Sequence, residues 1–529
     1  MKYGFVIDNR KCIGCHACTV ACKSEHDVPI GVNRTWVKQV EKGQYPDTQR
    51  VFSVMRCNHC TDAPCVEICP VEALHIREDG IVDFDSDRCI GCKACMQACP
   101  YDALYIDPET NTAAKCNYCS HRVDVGLEPA CVNVCPEHAI ISGDMHDPTT
   151  EISKLLSSEK VMVRKPEKGT DPNVFYINGD EASLTPTATE TSDSTLWSEQ
   201  TGGVGHFAKY AEAKKQSANT AEMANQLAGK SEGKSQVQAI MEKAKRVYDS
   251  PSKGTLWGWE VSAYVWTKAI STGALIVPFI AMIFGFAEVS ATVQWLAIGI
   301  GLAFLTLTGA LLVKDLDKPS RFLYVLLRPQ WKSWLVRGGY AITLYGGLLT
   351  FWGAAKLMDW PMLGTIALWG ATLFAIITAI YTAFLFAQAK GRDFWQSPML
   401  PIHMLNHSIM AGVAVFASIT IIVSFDSAWV QYLRGMFYIS LSINLLTLFF
   451  ELGITHPTAD AQRTVDMILK GKYKMQFWFG TVLLGCIIPI LLTATGSMPL
   501  FAIAGICVLG GIYITEHIWV QAPQQIPLS

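Results

Sequence analysis

Two stretches of this chain repeat one pattern of cysteines: residues 8–22 read DNRKCIGCHACTVAC and residues 86–100 read SDRCIGCKACMQACP. The segment 57–70 likewise returns, in loosened form, as 116–136. Self-similarity of this kind indicates duplication of one small unit. Together the segments hold four groups of four cysteines: Cys12, Cys15, Cys18 and Cys22; Cys57, Cys60, Cys65 and Cys69; Cys89, Cys92, Cys95 and Cys99; and Cys116, Cys119, Cys131 and Cys135.

The spacing within these groups favours iron–sulfur clusters. Three thiolates spaced by two residues can wrap one iron–sulfur cube, while a fourth, three residues further on, points away and binds the neighbouring cluster. A disulfide framework is the alternative, but no secretory signal opens the sequence, which argues against an oxidising compartment. Structural zinc needs only two CxxC pairs per ion. The sequence therefore predicts four [4Fe-4S] clusters.

The composition divides the chain into two unlike halves. Over 529 residues, 50% are hydrophobic and the net charge is -3, so the chain is too apolar to be disordered and lacks the basic face of a nucleic-acid binder. The first 258 residues hold 28 Lys and Arg against 35 Asp and Glu, whereas the rest hold 15 against 11. An acidic, cysteine-rich part is thus joined to a cationic, apolar part.

The second half reads as a membrane domain. Eight apolar stretches, each long enough to cross a bilayer as a helix, lie near 261–286, 291–313, 338–355, 362–388, 402–424, 434–453, 476–494 and 499–520. We expect an α+β ferredoxin-like tandem cluster domain at 1–180 and a polar linker with a helical part at 181–258. An all-α bundle of eight transmembrane helices at 259–529 completes the predicted fold.

Loop charges predict the orientation in the membrane. The connections 314–337, 389–401 and 454–475, on the side of the cluster domain, hold six, two and four positive residues. The opposite loops hold only Lys356 and Arg434. By the positive-inside rule this predicts a multi-pass protein of the inner (cytoplasmic) membrane, with its iron–sulfur domain facing the cytoplasm. Some of these cations could instead bind a partner or a ligand.

Residues 1 to about 180 resemble the four-cluster iron–sulfur subunit of the DMSO reductase family of molybdenum enzymes, including GTDPNVFYI at 169–177. The resemblance implies that the first and fourth cysteine groups exchange their last members, as do the second and third. The implied ligand sets are Cys12, Cys15, Cys18 and Cys135; Cys116, Cys119, Cys131 and Cys22; Cys57, Cys60, Cys65 and Cys99; and Cys89, Cys92, Cys95 and Cys69. One departure is Lys23, which follows Cys22 where the other groups have proline.

The apolar half resembles the NrfD and polysulfide reductase family of quinone-interacting membrane anchors. The matching segments are WGWEVSAYVWTKAISTGA at 257–274, DLDKPSRF at 315–322, SWLVRGGY at 333–340, GRDFWQSPMLP at 391–401 and FWFG at 477–480. The resemblance implies a quinone site among Tyr264, Asp317, Arg321 and Arg392, with menaquinone or ubiquinone as the ligand.

Ionisable residues near membrane depth point to the same face. Such side chains are costly in a bilayer and are usually functional. Glu260, His403 and Glu451 lie at or near helix ends on the side of the cluster domain, where they could exchange protons with a quinone. The membrane half has only His403, His407, His456 and His517, all near one face, so two well-separated haem ligand pairs are lacking and no haem is expected.

These features predict an electron-transfer and membrane-anchor subunit of a quinone-linked oxidoreductase complex, with its own quinone redox site and no catalytic residues. The resemblance implies a separate molybdopterin-containing catalytic subunit; membrane lipid and quinone are the other partners, and no nucleic acid is expected. Cytoplasmic placement favours sulfite oxidation with electron donation to quinone. One alternative is a polysulfide, thiosulfate or DMSO-type reductase subunit that takes electrons from quinol. Another is a proton-translocating energy-coupling module.

Overall fold

The computed structural model describes residues 1–44, 46–189 and 244–529. Most of the predicted linker at 181–258, including much of its predicted helical part, lies outside these ranges. Where the description resumes, the polypeptide is part of the amino-terminal domain: residues Lys245–Tyr248 form a strand that pairs with Thr35–Gln44. Trp36 fixes this return, because its indole N–H donates to the carboxylate of Asp249 over 2.7 Å.

The amino-terminal domain is a small α/β structure built on short sheets. Its strands are β1 (Tyr3–Asp8), β2 (Thr35–Gln44), β3 (Asp47–Arg56), β4 (Leu74–Ile76), β5 (Val82–Phe84), β6 (Leu104–Asp107), β7 (Thr112–Lys115), β8 (Ile140–Asp144), β9 (Val161–Met162), β10 (Val174–Ile177) and β11 (Lys245–Tyr248). One sheet has the order β8-β1-β10-β9 and a second has the order β11-β2-β3. Strand β1 is central to its sheet, which explains why nearly all of YGFVID is buried.

Within the described residues, the helices between these strands are short: α1 (Ala17–Glu25), α2 (Pro64–Ile68), α3 (Ala94–Ala98), α4 (Ser120–Val123), α5 (Ala130–Asn133), α6 (Glu151–Ser158) and α7 (Glu181–Leu184). Helices α2 and α3 pack together, and each leads into a two-stranded hairpin, β4-β5 after α2 and β6-β7 after α3. This repeated helix–hairpin unit confirms the predicted ferredoxin-like duplication.

The second half is helical. Its helices are α8 (Trp259–Phe284), α9 (Ala291–Lys314), α10 (Tyr324–Leu327), α11 (Trp334–Leu357), α12 (Pro361–Gln388), α13 (Leu400–Ile419), α14 (Ser427–Gly453), α15 (Ala459–Leu469), α16 (Gln476–Ala494) and α17 (Met498–Gln521). The first twelve residues of α16 have π-helical hydrogen bonding. Among the described residues, seven of these helices are long and apolar enough to cross a membrane, so the predicted count of eight spans is not confirmed.

Helix α11 accounts for the difference. It covers the predicted stretch 338–355 and runs for 24 residues, but it is not apolar enough to count as a span. Its Gly338 serves packing, because a Cβ at this position would lie 2.2 Å from the ring of Tyr381 on α12. Gly338 therefore lowers the hydropathy of α11 but allows α12 to pack closely against it.

The two halves meet on one face of the helical bundle. The loops 314–337, 389–401 and 454–475, which were predicted to lie on this side, all contact the amino-terminal domain. The backbone N–H of Asp317 donates to the carbonyl of Gly91 over 3.3 Å, and that of Gly391 to Gln97 over 3.2 Å. The carboxyl-terminal residues join them, since the Gln97 amide donates to Gln524 over 2.6 Å. The cysteine groups in the first domain are thereby fixed against the helix ends.

Candidate functional site

All sixteen predicted cluster cysteines are free thiols, and the structure gathers them into four centres. Centre 1 is Cys12, Cys15, Cys18 and Cys135, which line one cavity, and centre 4 is Cys69, Cys89, Cys92 and Cys95, which line another. Centre 2 is Cys22, Cys116, Cys119 and Cys131, and centre 3 is Cys57, Cys60, Cys65 and Cys99, in which the thiols lie close enough to interact electrostatically. These are the four ligand sets implied by the resemblance.

The four binding loops share one backbone conformation. In each group, the residue before the second cysteine has a left-handed φ: +71° at Gly14, +42° at His59, +69° at Gly91 and +61° at Tyr118. Such a conformation turns successive backbone N–H groups toward one concave side, which suits an anionic group. The loops therefore offer both thiolates and N–H donors to a cluster.

The chemistry of the thiols also fits metal binding. Burial raises the pKa of the Cys18 thiol to about 12, so this side chain is neutral at pH 7 unless a metal replaces its proton. An iron–sulfur cluster supplies that compensation when bound. Two buried cations lie close by: the Arg56 guanidinium donates to Cys131 Sγ over 3.3 Å, and Lys115 lies next to Cys57.

The centres follow one another in a line. Cys18 of centre 1 neighbours Cys131 of centre 2, and Cys57 of centre 3 neighbours Cys116 of centre 2. Cys65 of centre 3 in turn neighbours Cys95 of centre 4. The centres are therefore connected in the order 1-2-3-4, and centre 4 lies against the helices.

An apolar cavity of about 310 Å³ lies where centre 4 meets the helix ends. Its wall includes Cys92 of centre 4 and Tyr264 of α8. The rest comes from α9, α11, α12 and the loop after α9: Gly309, Leu312, Val313, Asp315, Leu316, Phe322, Val325, Leu326, Leu335, Gly339, Ile342, Thr343, Tyr381 and Leu385, with Ile90, Trp257 and Val261. A mostly apolar pocket with a few polar groups is typical of a small-molecule site.

Of the predicted quinone residues, Tyr264 is on the wall of this cavity. Asp317 and Arg321 lie in the adjoining loop and bind the cluster domain. The Asp317 carboxylate pairs with Lys93 over 3.0 Å. Arg321 donates to the carbonyls of Ser86 and Cys89 over 2.8 and 3.0 Å. These two side chains hold the loop that forms one wall.

The other predicted residues lie elsewhere on the same face. Arg392 is buried between the halves and donates to Gln97 Oε1 over 2.9 Å and to the Ile526 carbonyl over 2.6 Å. The pKa of its guanidinium is lowered by burial to about 10. Glu260 pairs with Lys314 over 3.6 Å.

His403 and Glu451 are brought together in the helical bundle. His403 Nδ1 and Glu451 Oε2 share a hydrogen bond of 2.8 Å between α13 and α14, and both side chains are buried. They do not line the cavity beside Cys92, but a second cavity lies against Glu451. The predicted roles of all these side chains toward quinone stay predictions.

Two ionisable residues of the cavity wall, Asp315 and Tyr381, were missed by sequence reasoning. Asp315 is the first acidic residue after α9, only two positions before the predicted Asp317, and burial raises the pKa of its carboxyl to about 7. The acidic residue closing an apolar stretch was a usable signal. Tyr381 had none, because a tyrosine within an apolar helix is indistinguishable from a core residue.

Comparisons with known proteins agree with both halves. The family described as "Polysulphide reductase, NrfD" matches residues 249–526, and two families described as "4Fe-4S dicluster domain" match residues 5–70 and 48–145. The sequence is similar to a tetrathionate reductase subunit of Salmonella typhimurium, with 47% identity over 37% of this chain and 80% of that protein.

Two further relatives resemble the same part. A polysulfide reductase component of Wolinella succinogenes is 44% identical over 33% of this chain and 94% of its own length. Protein NrfC of Escherichia coli K12 is 41% identical over 34% of this chain and 81% of its own. With an iron–sulfur domain of the 4Fe-4S dicluster type at its start, this protein belongs to the polysulphide reductase, NrfD family.

Proposed function

We propose that this chain is the electron-transfer and membrane-anchor subunit of a quinone-linked oxidoreductase complex. Centres 1 to 4 each hold one [4Fe-4S] cluster, and the cavity beside Cys92 binds the head group of menaquinone or ubiquinone. Electrons pass along the four clusters between a separate molybdopterin-containing catalytic subunit and the quinone pool. The chain itself carries the electrons and the quinone site, and the catalytic subunit carries the substrate.

One observation carries this proposal: Cys92 is both a member of centre 4 and part of the cavity wall. A cluster bound there would touch the cavity, so an electron could reach a bound quinone without crossing an intervening layer of protein. Tyr264 and Asp315 supply polar groups on the same wall. A quinone needs such groups because its reduction takes up protons as well as electrons.

The opposite end of the line suits a partner protein. In centre 1, Cys15 is exposed, whereas most of the other cysteines are buried. Apolar side chains are exposed on the loops and helices that carry centres 1 and 2, namely Ile13, Val20, Ile30, Val125, Leu127 and Val134. Exposed apolar residues grouped on one face mark interaction sites. We place the catalytic subunit there.

The direction of electron flow depends on that partner. The sequence favoured sulfite oxidation with donation to quinone, and this stays a prediction. The relatives are named as subunits of tetrathionate, polysulfide, dimethyl sulfoxide and arsenate respiratory reductases. These names favour the second candidate, a reductase complex that takes electrons from quinol. Purification of the tagged chain distinguishes the oxidase from the reductase. The large subunit that co-purifies is identified, together with its metal and its substrate.

The cytoplasmic orientation also belongs to this proposal. It rests on the positive residues of the loops 314–337, 389–401 and 454–475, all on the face that carries the cluster domain. An epitope tag placed before Met1, which is exposed, should be accessible in inverted vesicles and protected in intact spheroplasts. The reverse pattern would contradict the orientation.

The quinone site is tested by filling the cavity. Gly309 lines it, and a Cβ built there meets no atom within 4 Å. We expect Gly309→Leu to raise the KM for a short-chain quinone by about ten-fold or more, since the leucine occupies the space of the head group. Reduction of the clusters by a soluble dye should not change.

The matched control is Gly299→Leu. Gly299 lies on the same helix with equally open space around it, but it does not line the cavity. Equal effects of the two variants on quinone turnover would contradict the proposed site.

A further inference from the structure

A row of buried ionisable side chains crosses the interior of the helical bundle. His403 and His407 are one turn apart on α13, with ring centroids 4.1 Å apart. His403 Nδ1 shares a hydrogen bond of 2.8 Å with Glu451 of α14, and His407 Nδ1 shares one of 2.6 Å with Glu516 of α17. All four side chains are at least 95% buried. Three helices thus present two carboxylates and two imidazoles to one another in an apolar region.

One end of this row opens on a cavity of about 510 Å³ at the face of the cluster domain. Glu451 lines this cavity together with His456, Lys168 and Asp393. Within the described residues, Glu451 Oε1 and His403 Nε2 are buried without a hydrogen-bond partner. A buried polar atom left unpaired needs an explanation, and water entering from the cavity would supply the missing partner.

The other end leads to the quinone cavity. Glu516 lies close enough to Lys268 of α8 for their charges to interact. Lys268 Nζ donates to Thr382 Oγ1 over 2.6 Å and lies 4.9 Å from the ring centroid of Tyr381. Tyr381 and Tyr264 both line the cavity beside Cys92. Lys268 therefore lies between Glu516 of the row and Tyr381 of the cavity wall, and each of these side chains can accept or donate a proton.

A metal ion is the competing interpretation of part of this row. Ligand atoms of His403, His407 and Glu516 lie within 4.8 Å of one another. However, both ring nitrogens of His407 are already in hydrogen bonds, Nδ1 with Glu516 and Nε2 with Asn444 over 3.1 Å. His407 therefore has no free nitrogen lone pair for a metal, and its hydrogen bond to the Glu516 carboxylate favours proton transfer with that residue.

We propose that Glu451, His403, His407, Glu516 and Lys268 form a proton relay from the 510 Å³ cavity to the quinone cavity. This inference rests on the proposed quinone site and adds the route of its protons. Reduction of one quinone consumes two electrons, delivered by the clusters, and two protons, of which the relay delivers at least one. Each proton that leaves the row at Lys268 is replaced from water at Glu451, and quinol oxidation runs the same steps in reverse.

The test uses the full chain in proteoliposomes, with a reduced soluble dye as electron donor and a short-chain quinone as acceptor. We expect Glu516→Gln to lower kcat at least about ten-fold with little change in KM, and to increase the solvent deuterium isotope effect. Glu516→Asp should restore part of the rate. Glu288→Gln, on the opposite face of the bundle, is the matched control and should leave kcat unchanged.

The outcomes separate the relay from the quinone site. A wild-type chain that shows no quinone reduction contradicts the proposed function itself. If Glu516→Gln keeps the kcat of wild type, the relay is wrong and the proposed quinone site still stands. The same holds if the variant loses rate with no change in the isotope effect. If Glu516→Gln loses its clusters, Lys268→Met is measured in the same way and judged by the same results. Metal analysis showing one bound divalent ion per chain, removed in His403→Asn, would also overturn the relay.

Sidedness gives an independent readout. A pH indicator enclosed in vesicles or placed outside them reports where protons disappear during quinone reduction. The relay predicts proton uptake on the side that carries the cluster domain, because the cavity lined by Glu451 lies on that side. Uptake on the opposite side would overturn the proposal.

Discussion

Arg56 illustrates how a single buried charge can tune electron transfer. Its guanidinium is fully buried, donates to Cys131 Sγ and lies 4.2 Å from the ring centroid of Phe5. A reduced cluster carries one more negative charge than an oxidised one, so a neighbouring cation stabilises the reduced state and raises the potential. Removal of a charge at about 6 Å, with an effective dielectric constant near 20, changes this energy by about 3 kcal/mol, which is roughly 100 mV for one electron.

We therefore expect Arg56→Met to lower the potential of the cluster in centre 2 by about 100 mV. A redox titration followed by electron paramagnetic resonance would measure the shift. Arg50→Met is the control, because Arg50 lies on the same strand but pairs with Glu41 at the surface. An unchanged potential in Arg56→Met would show that the charge is screened.

Asp315 makes the stability of the protein depend on pH. Burial raises the pKa of its carboxyl to about 7, with Glu260 and Asp317 adding to the rise and Lys93 opposing it. The unfolded carboxyl has its ordinary, lower pKa. Between about pH 4 and pH 7 the folded state therefore holds a proton that the unfolded state has lost, and stability falls as pH rises through that window.

Asp315→Asn should remove this dependence. We expect the variant to melt a few degrees, about 2–4 °C or more, above wild type at pH 8 and close to wild type at about pH 4. Thermal unfolding in detergent measures the difference. Asp426→Asn, at the other end of the bundle, is the control. A similar rise in its melting temperature would show that the effect comes from the net charge of the protein.

At the same scale, the sequence predicted the cysteines but not all of their surroundings. Cysteine spacing predicted four cluster-binding groups, because three thiolates spaced by two residues suit one cluster, and the resemblance implied how the groups exchange their last cysteines. The cavity wall is different, since Tyr381 and Asp315 meet Cys92 only after helices and loops from distant parts of the chain pack together. Arg392 is buried in hydrogen bonds that join the two halves, and its place beside quinone stays a prediction.

At the scale of elements, the crossing of α8 and α13 holds the relay together. A Cβ at Gly412 would lie 2.2 Å from the Gly273 carbonyl oxygen, and one at Gly273 would lie 1.9 Å from the Ser408 carbonyl oxygen. Small residues allow such close backbone contact between membrane helices. This contact fixes α8, which carries Lys268, against α13, which carries His403 and His407.

We expect Gly412→Leu to force the two helices apart, with a loss of about 3 kcal/mol or more of stability and a lower yield of assembled protein. Gly435→Leu on α14 is the matched control, because a Cβ there meets no atom within 4 Å. Size-exclusion chromatography and thermal unfolding in detergent measure the effect. Equal stability of the two variants would show that the bundle adapts at the crossing.

Helix number was the least secure prediction at this scale. Hydropathy identifies a helix by its contact with lipid, whereas α11 carries glycines and polar residues that pack against α12 and form part of the cavity wall, including Gly339 and Thr343. Its helical path was predicted, but its apolar character was overestimated. A helix that forms part of a binding site has more small and polar residues than a helix that only crosses the membrane.

At the scale of the whole molecule, the two halves were visible in the sequence because their composition differs so strongly. The loops that share the face of the cluster domain were also predicted, from the alternation of the helices along the chain. Their contacts were not, and these contacts bring centre 4 to the cavity: the loop after α9 is held on Gly91 and Cys89, immediately beside Cys92. The proposed quinone site thus needs residues of both halves.

The central claim is that four clusters deliver their electrons to quinone at the Cys92 cavity. The most direct measurement mixes the fully reduced, purified chain with excess short-chain quinone and follows cluster absorbance by stopped flow. Because each cluster releases about one electron, we predict complete reoxidation with about four electrons recovered as two quinols per chain. Clusters that remain reduced in the presence of quinone, or that release fewer electrons than the four centres require, would contradict the account.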